Sequence, residues 1–219
     1  MVWHLISATP SPYARKIRIA LQEKKLPFEL QTEIPWDHTT QTPTHNPLEK
    51  LPVLVFDDGK AIYESHYILD WLETKYPVPS LLPKDTDERL LAKQIEVVAD
   101  GVCDALVLAF FEMKRETESQ PWKDRQVMPR QMRKVTGGLR ALNAWVEERA
   151  TSSGYLFEDR LTIADIATCS VLGFMAVRWP DHGWKNEYSA MEKYWRKLEE
   201  RPSFASTVPV AQKFSDPVV

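Results

Sequence analysis

The sequence predicts a small α/β unit built on a mixed four-stranded sheet, followed by an all-α helical bundle, and three observations predict it. Strand and helix signals alternate through the first part of the chain, up to about Tyr76-Pro77. Helical periodicity then runs almost unbroken from Asp85 onward. Between them lies a short proline-rich stretch, VPSLLP from Val78 to Pro83, where the composition shifts. The expected division is therefore residues 1–77 for the first domain, 78–84 for a linker and 85–219 for the helical domain.

The elements follow in order. Trp3 to Ser7 is a short apolar segment suited to a buried strand. Ser11-Pro12 opens a helix, with serine at the N-cap and proline at the first helical position. Ile17, Ala20, Leu21 and Lys24 continue at helical spacing, Pro27 ends the run, and Phe28 to Ile34 alternates as a second strand would. Residues 35–50, PWDHTTQTPTHNPLEK, carry three prolines among polar residues and read as a loop with room for one helical turn. Pro52 to Phe56 and Lys60 to Tyr63 flank Asp57-Asp58-Gly59, a hairpin signal. A helix from about Ser65 places Ile68, Leu69 and Leu72 on one face and ends near Tyr76-Pro77. The first part of this order implies a parallel crossover and the last an antiparallel edge, hence a mixed sheet with helices packed on it. Helical patterns then occupy about 87–118, 123–149, 162–178 and 186–201, with a short tail helix at about 203–212. Thr162 with Asp165 three residues on resembles a capping box, which gives it a structural role at the start of an apolar helix.

Bulk properties narrow the function classes. The chain has 219 residues, 43% of them hydrophobic, which suffices for a real core. A net charge of −3, with no block of lysine or arginine, gives no electrostatic case for nucleic acid. No apolar run approaches the roughly 20 residues that span a bilayer, and the N-terminus lacks the basic leader of a signal peptide. Cys103 and Cys169 are too few for a disulfide framework, and their spacing supports no metal site. A cytoplasmic location is the default.

The segments SPYARKIRIAL (11–21), NPLEKLPVL (46–54), Ile62-Tyr63-Glu64-Ser65 and LTIADI (161–166) stand in an order and spacing that resemble the cytosolic glutathione transferase family, serine-type subclass, over essentially the whole chain. The resemblance implies a thioredoxin-like first domain that binds glutathione and a helical domain that shapes the site of a hydrophobic electrophile. It implies a homodimer in which the first domain of each subunit meets the helical domain of the other. It also implies glutathione as co-substrate, with no metal.

Each motif has a physical content beside that resemblance. Ser11 caps a helix by accepting a backbone N–H, which leaves its own O–H free to donate. A thiol sulfur placed beyond it would be favoured as thiolate by that O–H and by the positive helix end. A cysteine thiol ionises at about 8.5, so a shift of about two units needs only about 2.7 kcal/mol of differential stabilisation. Ser7, Thr9 and Tyr13 lie close enough to be rivals for this contact. The resemblance assigns Glu64 and Ser65 to the γ-glutamyl end: Glu64 suits an α-ammonium, and Ser65 with the helix N-terminal amides suits an α-carboxylate. The alternative is that Ser65 only caps the helix and Glu64 is a solvated charge. The resemblance further implies a cis peptide at Leu51-Pro52, with Leu51 beside the cysteinyl unit; otherwise a trans proline opening a strand is the default. Lys50 pairs with the glycyl carboxylate or stands as a solvated loop lysine. For the hydrophobic-substrate site the candidates are Tyr13, Phe110, Phe111 and Trp179, with Met113 and Trp184 behind them, although aromatics at helical spacing are more often core. A glutathione or apolar-ligand carrier and a protein-interaction module remain as alternatives to an enzyme.

Overall fold

A computed structural model of the chain describes residues 2–115, 121–150, 153–157 and 159–213. Its first part holds four strands, β1 (Trp3–Ser7), β2 (Phe28–Thr32), β3 (Val53–Val55) and β4 (Ala61–Tyr63), in the spatial order β2-β1-β3-β4. The β1–β2 pair is parallel, with Trp3 opposite Phe28, while β1–β3 and β3–β4 are antiparallel. The parallel pair needs a crossover, which α1 (Pro12–Glu23) supplies; the antiparallel pair needs only the turn at Gly59, where φ is +82° and a side chain would be strained.

Alternation along β1 divides the core. Leu5 and Leu54 join the large cluster that continues into the helices, whereas Ile6 and Val53 pack with Ala8 and Leu51 on the opposite face. The helix α3 (Ser65–Lys75) lays Ile68, Leu69 and Leu72 on the first of these faces. A single helical turn, α2 (Thr42–His45), lies within the loop that precedes β3.

The helical part is α4 (Thr86–Lys114), α5 (Met128–Arg149), α6 (Ile163–Arg178), α7 (Trp184–Glu187), α8 (Ser189–Glu199) and α9 (Pro202–Ala205), with a 3-10 turn at Trp122–Asp124. Asp85 caps α4 by accepting the N–H groups of Asp87 and Glu88 at 3.0 Å each. The α6 helix is apolar on every side and runs through the middle, packed against α1, α4 and α8. Its buried Asp165 accepts from Thr162 N–H (2.8 Å), Thr162 Oγ1 (2.7 Å), Leu156 N–H (2.8 Å) and Tyr194 Oη (2.7 Å). The carboxylate thus fastens the helix start to the preceding loop and to α8.

Three helix boundaries differ from the sequence expectation. Instead of beginning at 123, α5 begins at Met128, which puts Pro129 in the first turn, where its missing N–H has no helical partner to lose. The run expected at 186–201 breaks at Tyr188, whose φ of −118° and ψ of 67° separate α7 from α8. The tail helix expected at 203–212 stops at Ala205, because Pro209 can neither donate a helical hydrogen bond nor tolerate a helical residue before it. The tail instead crosses the first part of the chain: Thr9 Oγ1 donates to the Val210 carbonyl at 2.8 Å and Gln212 Nε2 to the Glu33 carbonyl at 3.3 Å. Residues 116–118 of the helix expected over 87–118 lie outside the described residues.

Buried charges on α1 tie the two parts together. Arg15 bonds Glu199 at 2.6 Å and the Cys169 carbonyl at 3.3 Å, and Lys16 bonds Glu96 at 2.9 Å and Asp100 at 2.6 Å. Gly173 permits the first contact: a Cβ there would stand 2.1 Å from an Arg15 guanidinium nitrogen.

Candidate functional site

A cleft of about 500 Å³ opens between the N-terminal ends of α1 and α3 on one side and α4 with α6 on the other. Ser11 lies on its wall. The backbone there is extended (φ −63°, ψ 119°), Pro12 starts the helix, and Ser11 Oγ accepts the Ala14 N–H at 3.2 Å. Among the described residues its O–H donates to nothing. The three rivals are committed elsewhere. Ser7 is buried and donates to the Ala8 carbonyl at 3.3 Å. Thr9 donates to Val210, and the Tyr13 phenol donates to Asp104 Oδ1. Burial first, then the Cys103 and Asp104 charges, hold the Tyr13 phenol well above its usual ionisation range, so it stays a neutral donor.

Glu64 and Ser65 line the same cleft as Ser11. Glu64 adopts a φ of +70° between β4 and α3, a region that non-glycine residues rarely occupy. One of its carboxylate oxygens, Oε1, is buried and has no hydrogen-bond partner among the described residues. Ser65 is the first residue of α3, buried at the end where that helix's N–H groups are unpaired. A strained residue carrying an unsatisfied acceptor beside a helix N-terminus is what a ligand with adjacent cationic and anionic groups would complete.

The Leu51-Pro52 peptide is cis. Leu51 lines the cleft, Pro52 is buried behind it, and Lys50 reaches the rim exposed, its carbonyl held by Asn46 Nδ2 at 2.8 Å. The cleft also takes in Tyr13 from α1 and Phe110 and Phe111 from α4. Trp179 is not among the lining residues, contrary to expectation. It caps the C-terminus of α6 and turns its ring onto Trp122, with centroids 5.6 Å apart. Met113 does not line the cleft either, and Trp184, 1% exposed, is core packed on Trp195. Among the described residues no group of three or more His, Cys, Asp or Glu side chains is placed to hold a metal ion, and no helix is long and apolar enough to cross a membrane.

Several lining residues escaped the sequence reading. Trp36, 51% exposed, packs against Phe111 with the rings tilted by 58° and 4.0 Å between centroids. A lone tryptophan in an otherwise polar loop was the available signal. Arg178, at the end of α6, lies over Phe110 at 4.5 Å, and Gln212 arrives from the tail. Glu112 is also present, paired with Arg115 at 3.2 Å and Arg125 at 3.1 Å.

Comparison with known proteins gives these features a context. The model of the glutathione S-transferase N-terminal domain matches residues 10–75, and that of the C-terminal domain matches residues 120–196. The uncharacterised GST-like protein YibF of Escherichia coli K12 is 31% identical over 205 residues, covering 94% of this chain and 98% of its own. A glutathione S-transferase from Methylobacterium radiotolerans, solved in complex with glutathione sulfonate, is 48% identical with a TM-score of 0.92 and full coverage of both chains. One from Methylobacillus flagellatus, solved with GSH bound, is 33% identical with a TM-score of 0.85, covering 95% of this chain and 100% of its own.

Proposed function

The chain belongs to the glutathione S-transferase family, and from that premise we propose that it is a serine-type glutathione transferase acting on hydrophobic electrophiles. The observation that carries the reading is the free O–H of Ser11, alone among the four candidate hydroxyls, held at the N-terminus of α1 on the wall of the cleft. Glu64 receives the α-ammonium of glutathione on its unsatisfied oxygen, and Ser65 with the first amides of α3 receives the α-carboxylate. Leu51 flanks the cysteinyl unit and Lys50 meets the glycyl carboxylate at the rim. Bound glutathione supplies a nucleophilic sulfur. Ser11 donates to that sulfur, and the α1 N-terminus adds its partial positive charge, so the thiolate form is favoured without a strong base. Tyr13, Phe110 and Phe111 hold the electrophilic carbon, or a peroxide, against the sulfur, and positioning supplies much of the rate.

The ultraviolet absorbance of thiolate in the glutathione complex at neutral pH tests this. The native chain should show it, and Ser11→Ala should lose it while still binding glutathione. Binding without thiolate in the native chain would identify a carrier instead; no binding would end the reading. The same reading includes a cytoplasmic homodimer, the first part of each subunit against the helices of the other. Light scattering at micromolar concentration should give twice the mass of the chain, and a single-chain mass would remove that element alone.

A further inference from the structure

Tyr13, Trp36, Phe110, Phe111 and Phe174 give the cleft an apolar lining, yet two guanidinium side chains, those of Arg115 and Arg178, share it. Arg178 is half-buried, and among the described residues it makes no hydrogen bond and no ion pair; its guanidinium lies over the face of Phe110, 4.5 Å away. The carboxylates that share the cleft are otherwise engaged or placed at the glutathione end. Glu112 pairs with Arg115 and Arg125, Asp104 accepts from Tyr13, and Glu49 and Glu64 adjoin Lys50 and Ser65 in the chain, the residues assigned above to glutathione.

Structural roles account for part of this placement. A cation at the last turn of α6 meets the negative end of the helix, and a guanidinium over an aromatic face gains from the ring quadrupole. Neither uses the in-plane N–H donors, of which Arg178 has five. A partly desolvated guanidinium with unused donors is unfavourable unless an acceptor arrives. Burial pushes the pKa of Arg178 down, with no neighbouring carboxylate to offset it.

We infer that Arg178 recognises an acidic group on the second substrate, so that the electrophile is an aromatic or other apolar compound carrying a carboxylate. The apolar part packs on Trp36, Phe110 and Phe111, and the carboxylate takes two parallel N–H bonds from the guanidinium fork. This rests on the glutathione-binding reading above and specifies the chemistry of its other half.

The test compares two glutathione conjugates of one shape, S-(4-carboxybenzyl)glutathione and S-(4-methylbenzyl)glutathione, together with glutathione itself, by calorimetric titration. The native chain should bind the carboxylate conjugate about tenfold or more tighter than the methyl conjugate, as a hydrogen-bonded charge pair implies. Arg178→Gln should bring the two near parity without changing the affinity for glutathione. Arg178→Lys should keep part of the preference, since it retains the charge and loses the fork. Parity in the native chain while glutathione still binds would overturn the assignment and leave the glutathione reading standing; this comparison needs no variant to fold. A preference that survives in Arg178→Gln would overturn it equally. Failure of the native chain to bind glutathione would remove both.

Discussion

Glu64 combines two features that a purely structural residue would avoid, a φ of +70° and a buried carboxylate oxygen with no partner among the described residues. Each is unfavourable to the fold, the first by about 1–3 kcal/mol and the second by a similar amount. On the function proposed above, the α-ammonium of glutathione supplies the missing partner of that oxygen. Glu64→Gln separates stability from binding, because it keeps the backbone and the shape while removing the charge. The expected outcome is a melting temperature equal to or above the native one, with glutathione affinity reduced roughly 10- to 100-fold by titration calorimetry. A variant that melts lower and binds glutathione as before would make Glu64 structural. At this scale legibility divides cleanly. The cap at Ser11 and the step at Glu64-Ser65 are contiguous stretches, so their chemistry is written in local order. Which hydroxyl is free is not, since the Tyr13 donation goes to Asp104 and the Thr9 donation to Val210, partners far away in the chain.

The elements show why one side of the cleft was easier to read than the other. Four strands, α1 and α3 follow from periodicity and from Pro12, Pro27 and the Asp-Gly turn, all of which act over a few residues. The rest of the cleft lining is assembled from α4, the end of α6, the loop at Trp36 and the tail, which meet only after folding. Arg178 and Trp179 illustrate the difficulty. They are neighbours at the end of α6, and successive helical positions point about 100° apart, so one faces the cleft and the other Trp122. An apolar count favours the tryptophan, but the arginine is the one that lines the cleft. The helix start read from Thr162 and Asp165 is confirmed and proves wider than a cap, since Asp165 also holds Leu156 and Tyr194. Asp165→Ala would leave four donors without an acceptor, and about 3–5 kcal/mol of stability should be lost, read as a lower urea midpoint with an unchanged slope. Asp165→Asn keeps one acceptor oxygen and should lose less. A midpoint for Asp165→Ala close to native would show that the loop and α8 are held by packing alone.

For the molecule as a whole, the cleft exists only while its two walls keep their relation, and ionic ties carry part of that relation. Besides Arg15 with Glu199 and Lys16 with Glu96 and Asp100, Glu23 near the end of α1 receives Arg201 Nε and a second guanidinium nitrogen, each at 2.7 Å, and the Ser203 hydroxyl. Burial alone would raise the Glu23 carboxyl, but the Arg201 and Ser203 hydrogen bonds outweigh it and bring it below its usual 4.5. The sign of the linkage follows. A carboxyl whose folded pKa lies below its unfolded value binds fewer protons when folded, so its contribution is complete above about 4.5 and is lost as pH falls through the folded value. Glu23→Gln should therefore be less stable than the native chain at pH 7, by about 1–3 kcal/mol, and the gap should narrow as the pH is taken below about 4. Urea midpoints at pH 7 and pH 3 measure it. A gap that stays constant would mean that Glu23 acts by shape and not by charge. Because the tie joins α1 to the segment that leads into the tail, the variant should also loosen the wall opposite α4 and α6, and Ser11 caps that same α1. Thiolate absorbance in the glutathione complex of Glu23→Gln, at a temperature where the variant remains folded, should then be lower than native, which would tie the geometry of the thiol site to the clamp between the two parts of the chain.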